Sequence, residues 1–267
     1  MARLLVFCES PVDFETIQGL VECVLRERGP DWVKELLEGP HDAAQEFRDW
    51  MPDGEGRTYF DLHKLSAYAS RHRIRVPQGH FSGQPGEPGA LMGRTAFLIA
   101  RELTLNGTEV DAVILVWDMD DQGKERRMGL AQASTEARAL VPFSIVLGCP
   151  DPMREAWVLA GFEPEPENEA EQARLATMRQ ELGFNPCEEA HRLAAKKEHA
   201  KRSPKRVLEV LTAGDRAREV RCWTETSLVR LRARGRQSGL TAFLDEAAES
   251  LVPRLSGAPP KPPPEQD

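Results

Sequence analysis

Two apolar runs of strand length, each ending abruptly in a carboxylate, constrain this chain more than any other feature. Arg3-Leu4-Leu5-Val6-Phe7-Cys8 stops at Glu9, and Asp111-Ala112-Val113-Ile114-Leu115-Val116-Trp117 stops at Asp118. A strand that is apolar at nearly every position, not at every second one, is covered on both faces, as in a parallel sheet with helices above and below. Helical patterns follow both runs. Ile17, Leu20, Val21 and Val24 recur at three and four residues after an expected cap at Asp13, and residues 124–139 read as a second helix. A strand near 74–80, a helix over 91–105, a strand over 143–147 and a short helix over 152–160 complete an alternation that implies an α/β fold.

The rest of the chain divides by composition. Residues 28–72 read as a helical insertion, broken at Gly29-Pro30, Gly39-Pro40 and Pro52-Asp53-Gly54. Past residue 162 the acidic, proline-containing stretch 163–167 leads into a helical C-terminal region, 163–252, with helices expected over 169–182, 188–201, 204–211 and 240–251. The Pro-rich end, 253–267, reads as a disordered tail. The expected organisation is thus an α/β domain over 1–162 carrying the insertion, the helical region, and the tail.

Composition excludes several classes. No apolar run among the 267 residues approaches membrane-spanning length, and residues 1–8 are too short for a signal-peptide core, so a cytoplasmic protein is expected. Five cysteines without a C-x-x-C spacing give no zinc motif and read as ordinary buried thiols. The net charge of −8 is unevenly spread. Between Pro186 and Arg236, fourteen Lys and Arg face seven Asp and Glu, a local +7 that leaves −15 elsewhere. An acidic N-terminal portion is joined to a basic C-terminal one, the sign needed to hold a phosphate backbone.

In an open parallel sheet, ligands bind beyond the carboxyl ends of the strands, where Glu9, Asp118 and Asp120 fall. Asp118 and Asp120 are two residues apart, so in extended backbone both side chains point the same way. Oxygen-only clusters of this kind suit Mg²⁺ or Mn²⁺. Gly123 would allow a sharp turn into the following helix.

Glu9-Ser10-Pro11-Val12-Asp13 resembles the glutamate motif of Toprim domains, and Asp118-Met119-Asp120-Asp121-Gln122-Gly123 is similar to their Asp-x-Asp motif followed by Gly, again after an apolar strand. Ser10 stands where Gly is usual, and the insertion widens the gap between motifs. The resemblance covers residues 1–161 and implies a metal-assisted phosphoryl-transfer site with Glu9, Asp118 and Asp120 as ligands. The stretch 151–160, Asp-Pro-Met-Arg-Glu-Ala-Trp-Val-Leu-Ala, also resembles a Toprim-like family encoded beside ABC-type ATPases in bacterial defence islands. That likeness makes Glu155 a candidate further ligand. Similarity to the OLD-type nucleases makes Lys205 a candidate catalytic lysine.

The implied activity is Mg²⁺- or Mn²⁺-dependent cleavage of nucleic acid, DNA favoured over RNA, with an ABC-type ATPase as partner in anti-phage defence. Strand passage would need a nucleophilic tyrosine in a separate domain, and the chain has only Tyr59 and Tyr68, in or beside the insertion. A primase would bring a template-binding module, often zinc-bearing. The rival from another class is a catalytically inactive Toprim-like regulatory or binding subunit. Trp157 is expected in the core, and Trp32 and Trp50 are candidate docking residues for a partner.

Overall fold

A computed structural model of the chain describes residues 2–39, 47–54, 56–77, 86–194, 197 and 199–255. Strand β1 (Ala2–Cys8) feeds helix α1 (Pro11–Arg28), and α2 (Asp31–Glu38), β2 (Arg48–Trp50), β3 (Phe60–Asp61) and α3 (Leu65–Arg71) follow. Next come α4 (Ala90–Leu105), β4 (Ala112–Val116), α5 (Gly123–Arg138), β5 (Ser144–Gly148) and α6 (Arg154–Gly161). The C-terminal part adds α7 (Glu169–Leu182), α8 (Pro204–Thr212), α9 (Arg216–Thr224), α10 (Leu228–Arg234) and α11 (Leu240–Leu255). The architecture is α/β: a parallel sheet in the order β2-β1-β4-β5, with β3 also pairing parallel to β1, flanked by helices.

The apolar runs behave as two-faced strands. Leu4, Val6 and Cys8 of β1 and Ala112, Ile114 and Val116 of β4 point into one core, while Leu5, Phe7, Val113 and Leu115 point into another. Helices α4 and α5 cover the second face, with Phe97, Ile99, Leu130 and Ala133 buried there. The first face is covered by α1, α6 and the C-terminal helices, whose Leu208, Leu211, Trp223, Leu231, Phe243 and Leu244 share one continuous core with the sheet. Trp157 stacks on Phe243 with ring centroids 4.9 Å apart. Two glycines permit this close packing. A Cβ on Gly161 would stand 1.7 Å from the Cys222 carbonyl oxygen, and one on Gly19 would stand 2.3 Å from the Trp223 indole nitrogen.

Several expectations need correction. The segment 28–72 holds helices but also supplies β2 and β3, both paired with β1. Trp50 therefore lies buried at the sheet, not on a docking surface, whereas Trp32 is exposed. Residues 74–77 are not a strand, and 78–80 lie outside the described residues, as does most of the Pro-rich tail. Among the described residues of 188–201 there is a 3₁₀ turn, Ala190–Arg192, in place of the expected helix. The helix after Glu9 is capped by Ser10, whose hydroxyl accepts the Asp13 N–H at 3.2 Å, with Pro11 at the first helical position. The five thiols are free, four of them buried and Cys149 partly so. Among the described residues no helix is long and apolar enough to cross a membrane.

Candidate functional site

Glu9 follows the last residue of β1, and Asp118 lies two residues beyond the end of β4. Phe7 and Leu115 are in register across these hydrogen-bonded neighbours, so the two carboxylates leave strands about 4.8 Å apart. The loop after β4 is fixed by the loop after β5: the Met119 N–H donates to the Pro150 carbonyl at 2.9 Å, and the Asp120 N–H to the Pro152 carbonyl at 2.7 Å. Asp120 adopts the left-handed region, φ 48°, which Asp tolerates better than most residues. This backbone is not extended. Gly123 opens α5 without a positive φ, and a Cβ there would stand 3.2 Å from an Asp151 carboxylate oxygen, so the glycine gives room to Asp151 and no turn.

Glu9, Asp118, Asp120, Glu155 and Lys205 all line one cavity of about 780 Å³ between this sheet edge and helices α6, α8 and α9. Sequence reasoning missed its other polar walls: Asp13 from α1, His63, Glu209, Arg216 and Glu219 from the C-terminal side, and Arg154 in their midst. Arg154 had one available signal. A cation in the first turn of a helix opposes the macrodipole, so it has to be compensated by carboxylates from elsewhere.

Arg154 is nearly buried, its side chain 8% exposed, and its Nε lies 3.4 Å from Asp13. Its terminal nitrogens reach Glu219 at 2.6 Å and Glu155 at 3.3 Å. Asp120 is taken up by Arg126 at 2.8 Å, and that guanidinium stacks 4.4 Å from the centre of the Trp117 ring. Asp118 and Glu9 differ from these acids. Among the described residues neither is ion-paired with Arg or Lys; the Asp118 carboxylate accepts the Arg154 backbone N–H at 2.9 Å, the Asp118 backbone carbonyl accepts from the Arg126 guanidinium, and Glu9 faces His63 at 3.5 Å.

The electrostatics follow from that difference. Burial pushes the Asp118 carboxyl well above the usual carboxylate range, and the charges of Asp13, Glu155 and Glu9 push it the same way. Glu9 is also raised, by burial first, with Asp13 and Asp120 adding to it against the opposing pull of His63 and, more weakly, Arg126. Seven carboxylates of the lining face three Lys and Arg side chains.

Donor chemistry here suits a hard divalent cation: oxygen ligands only, and two desolvated carboxylates short of positive charge. Among the described residues, however, no three His, Cys, Asp or Glu side chains form a group that could hold a metal ion as they stand. The Asp120 carboxylate, which would make the third, is turned to Arg126.

The basic C-terminal stretch is largely spent within the fold. Arg218 is buried against Glu171 at 2.6 Å, Arg221 pairs with Glu165, Arg230 with Glu163, Arg206 with Glu181 and Arg232 with Asp245. Arginines of the +7 segment thus answer the acidic stretch 163–181, and that segment brings to the cavity Lys205, exposed on the second residue of α8, and Arg216, which is paired with Glu15 and Glu219. Compared with known proteins, the chain matches no family model, and no curated protein or solved structure matches it either.

Proposed function

We propose that the chain is a Toprim-type nuclease that hydrolyses nucleic-acid phosphodiesters with Mg²⁺ or Mn²⁺, DNA favoured over RNA. The observation that carries this reading is the pairing of Glu9 and Asp118 at the carboxyl ends of adjacent parallel strands, both desolvated and, among the described residues, neither ion-paired with Arg or Lys. A bound divalent cation would activate water and stabilise charge on the leaving oxygen. The chain's own residues supply the rest. Glu9 and Asp118 would hold the cation, with Asp120 as a third ligand once freed from Arg126, and the Arg154 N–H fixes the Asp118 carboxylate. Lys205, across the cavity, donates to a phosphate oxygen as charge develops on it. A cavity with this surplus of carboxylates repels a polyanion, so substrate engagement depends on the cation as well.

Arg126 favours a second reading, a catalytically inactive subunit in which guanidinium groups have permanently replaced metal. The sequence resemblance further suggests an ABC-type ATPase partner in anti-phage defence, testable by co-purification with the neighbouring gene product. Incubating the full chain with labelled DNA and RNA in Mg²⁺, Mn²⁺ or EDTA separates nuclease from inactive subunit. Cleavage with either metal and none in EDTA is expected; no cleavage under any condition would contradict the nuclease reading.

A further inference from the structure

Arg154 joins three walls of the cavity. Its backbone N–H holds Asp118 at 2.9 Å. Its side chain meets Asp13 and Thr16 on α1, Glu219 on α9 and its own neighbour Glu155 on α6. With the guanidinium nearly buried, Asp13 and Glu155 are directed inward upon it, and Glu219 is shared between it and Arg216. Thr16, itself 1% exposed, closes the shell by accepting from a terminal nitrogen at 3.1 Å.

Two-ion phosphoryl-transfer sites place their metals about 3.5–4 Å apart on shared carboxylates. Here a second ion would have to draw on Asp13 or Glu155, and both already face a fixed positive charge. We infer that Arg154 takes the place of a second metal ion, so that the cavity binds a single divalent cation through Glu9, Asp118 and Asp120, with Glu155 serving the guanidinium and not the metal. This rests on the metal-site reading proposed above and deepens it. Arg154 is then a positioning residue: it orients Asp118 through its backbone and neutralises the α6 side of the cavity through its side chain.

The test is Mn²⁺ binding by the full chain, measured as bound ions per chain by equilibrium dialysis and by loss of the free Mn²⁺ resonance. One ion per chain is expected for the wild type and for Arg154→Lys, and two for Arg154→Gln at millimolar Mn²⁺. Glu155→Gln should leave Mn²⁺ affinity within about twofold of the wild type, because a carboxylate outside the metal shell influences it only through the neighbouring charges. Two ions in the wild type, one still in Arg154→Gln, or a tenfold loss of affinity in Glu155→Gln would overturn the inference and leave the metal site standing. No bound Mn²⁺ in the wild type would overturn the metal-site reading and this inference together. Should Arg154→Gln fail to fold, the wild-type count and Glu155→Gln still decide.

Discussion

The backbone N–H of Arg154 donates to Oδ1 of Asp118 at 2.9 Å, tying the first turn of α6 to the end of β4. Asparagine at 118 keeps that acceptor and removes the charge. Asp118 titrates above its unfolded value, so the folded chain holds a proton at pH values where the unfolded chain has released it. Stability from this group therefore falls as pH rises, from about pH 4 upward through the folded value. Without metal, Asp118→Asn should melt higher than the wild type at neutral pH, by about 2–4 °C for each kcal/mol of relieved repulsion, and the gain should vanish near pH 4. Melting curves across pH check this; a variant less stable than the wild type at pH 7 would contradict the charge assignment.

Removing Arg126 frees Asp120. The pair has one exposed partner, Asp120, its side chain 47% exposed, and exposed ion pairs contribute about 0.2–1 kcal/mol. Arg126→Gln should then tighten Mg²⁺ binding by roughly 1.5- to 5-fold in titration calorimetry. Weaker binding would mean that the guanidinium supports the site and does not compete for it.

Lys205 is exposed and lines the cavity. Lys205→Ala should leave Mg²⁺ affinity and melting temperature unchanged and lower kcat by roughly 100-fold, the scale for losing one donor to developing oxyanion charge. An unchanged kcat would remove Lys205 from the mechanism.

The C-terminal helices are part of the same packed unit as the sheet. Phe243 is fully buried against Trp157, and Glu246 accepts the Leu147 N–H of β5 at 2.9 Å. Phe243→Ala should cost about 3–5 kcal/mol in urea denaturation, in one transition that also reports the sheet. Two separate transitions would instead mark 163–255 as a unit folding by itself.

What could be read from the sequence follows from burial. Strands β1 and β4 are apolar at nearly every position because both faces are covered, and helices α1, α4, α5, α7 and α11 carry long enough apolar stripes to be seen. Strands β2 and β3 were hidden: Arg48-Asp49-Trp50 and Phe60-Asp61 are short and partly polar, and only pairing with β1 makes them strands. Helices α9 and α10 bury only Arg218, Cys222 and Trp223, and Leu228 and Leu231, too few for a periodic signal. The expected helix over 188–201 fails at its start, where the Cys187 N–H turns back to the Asn185 side chain at 3.2 Å. Glu9, Asp118, Asp120, Glu155 and Lys205 were legible as residues, and the structure brings them to one cavity. The guanidiniums were not: a cation in the first turn of α6 signals that Arg154 needs compensating acids, but nothing local tells which carboxylates it meets or that Arg126 folds over Trp117.

Cleavage of labelled nucleic acid by the wild type, Glu9→Gln and Asp118→Asn, side by side in Mg²⁺ and in EDTA, tests the central claim most directly. The account predicts Mg²⁺-dependent cleavage by the wild type and a loss of at least about 100-fold in each variant, beyond the 10–100-fold usual for residues that only support a metal ligand, with both variants folded. Cleavage by the wild type that survives in both variants, or persists in EDTA, would contradict it.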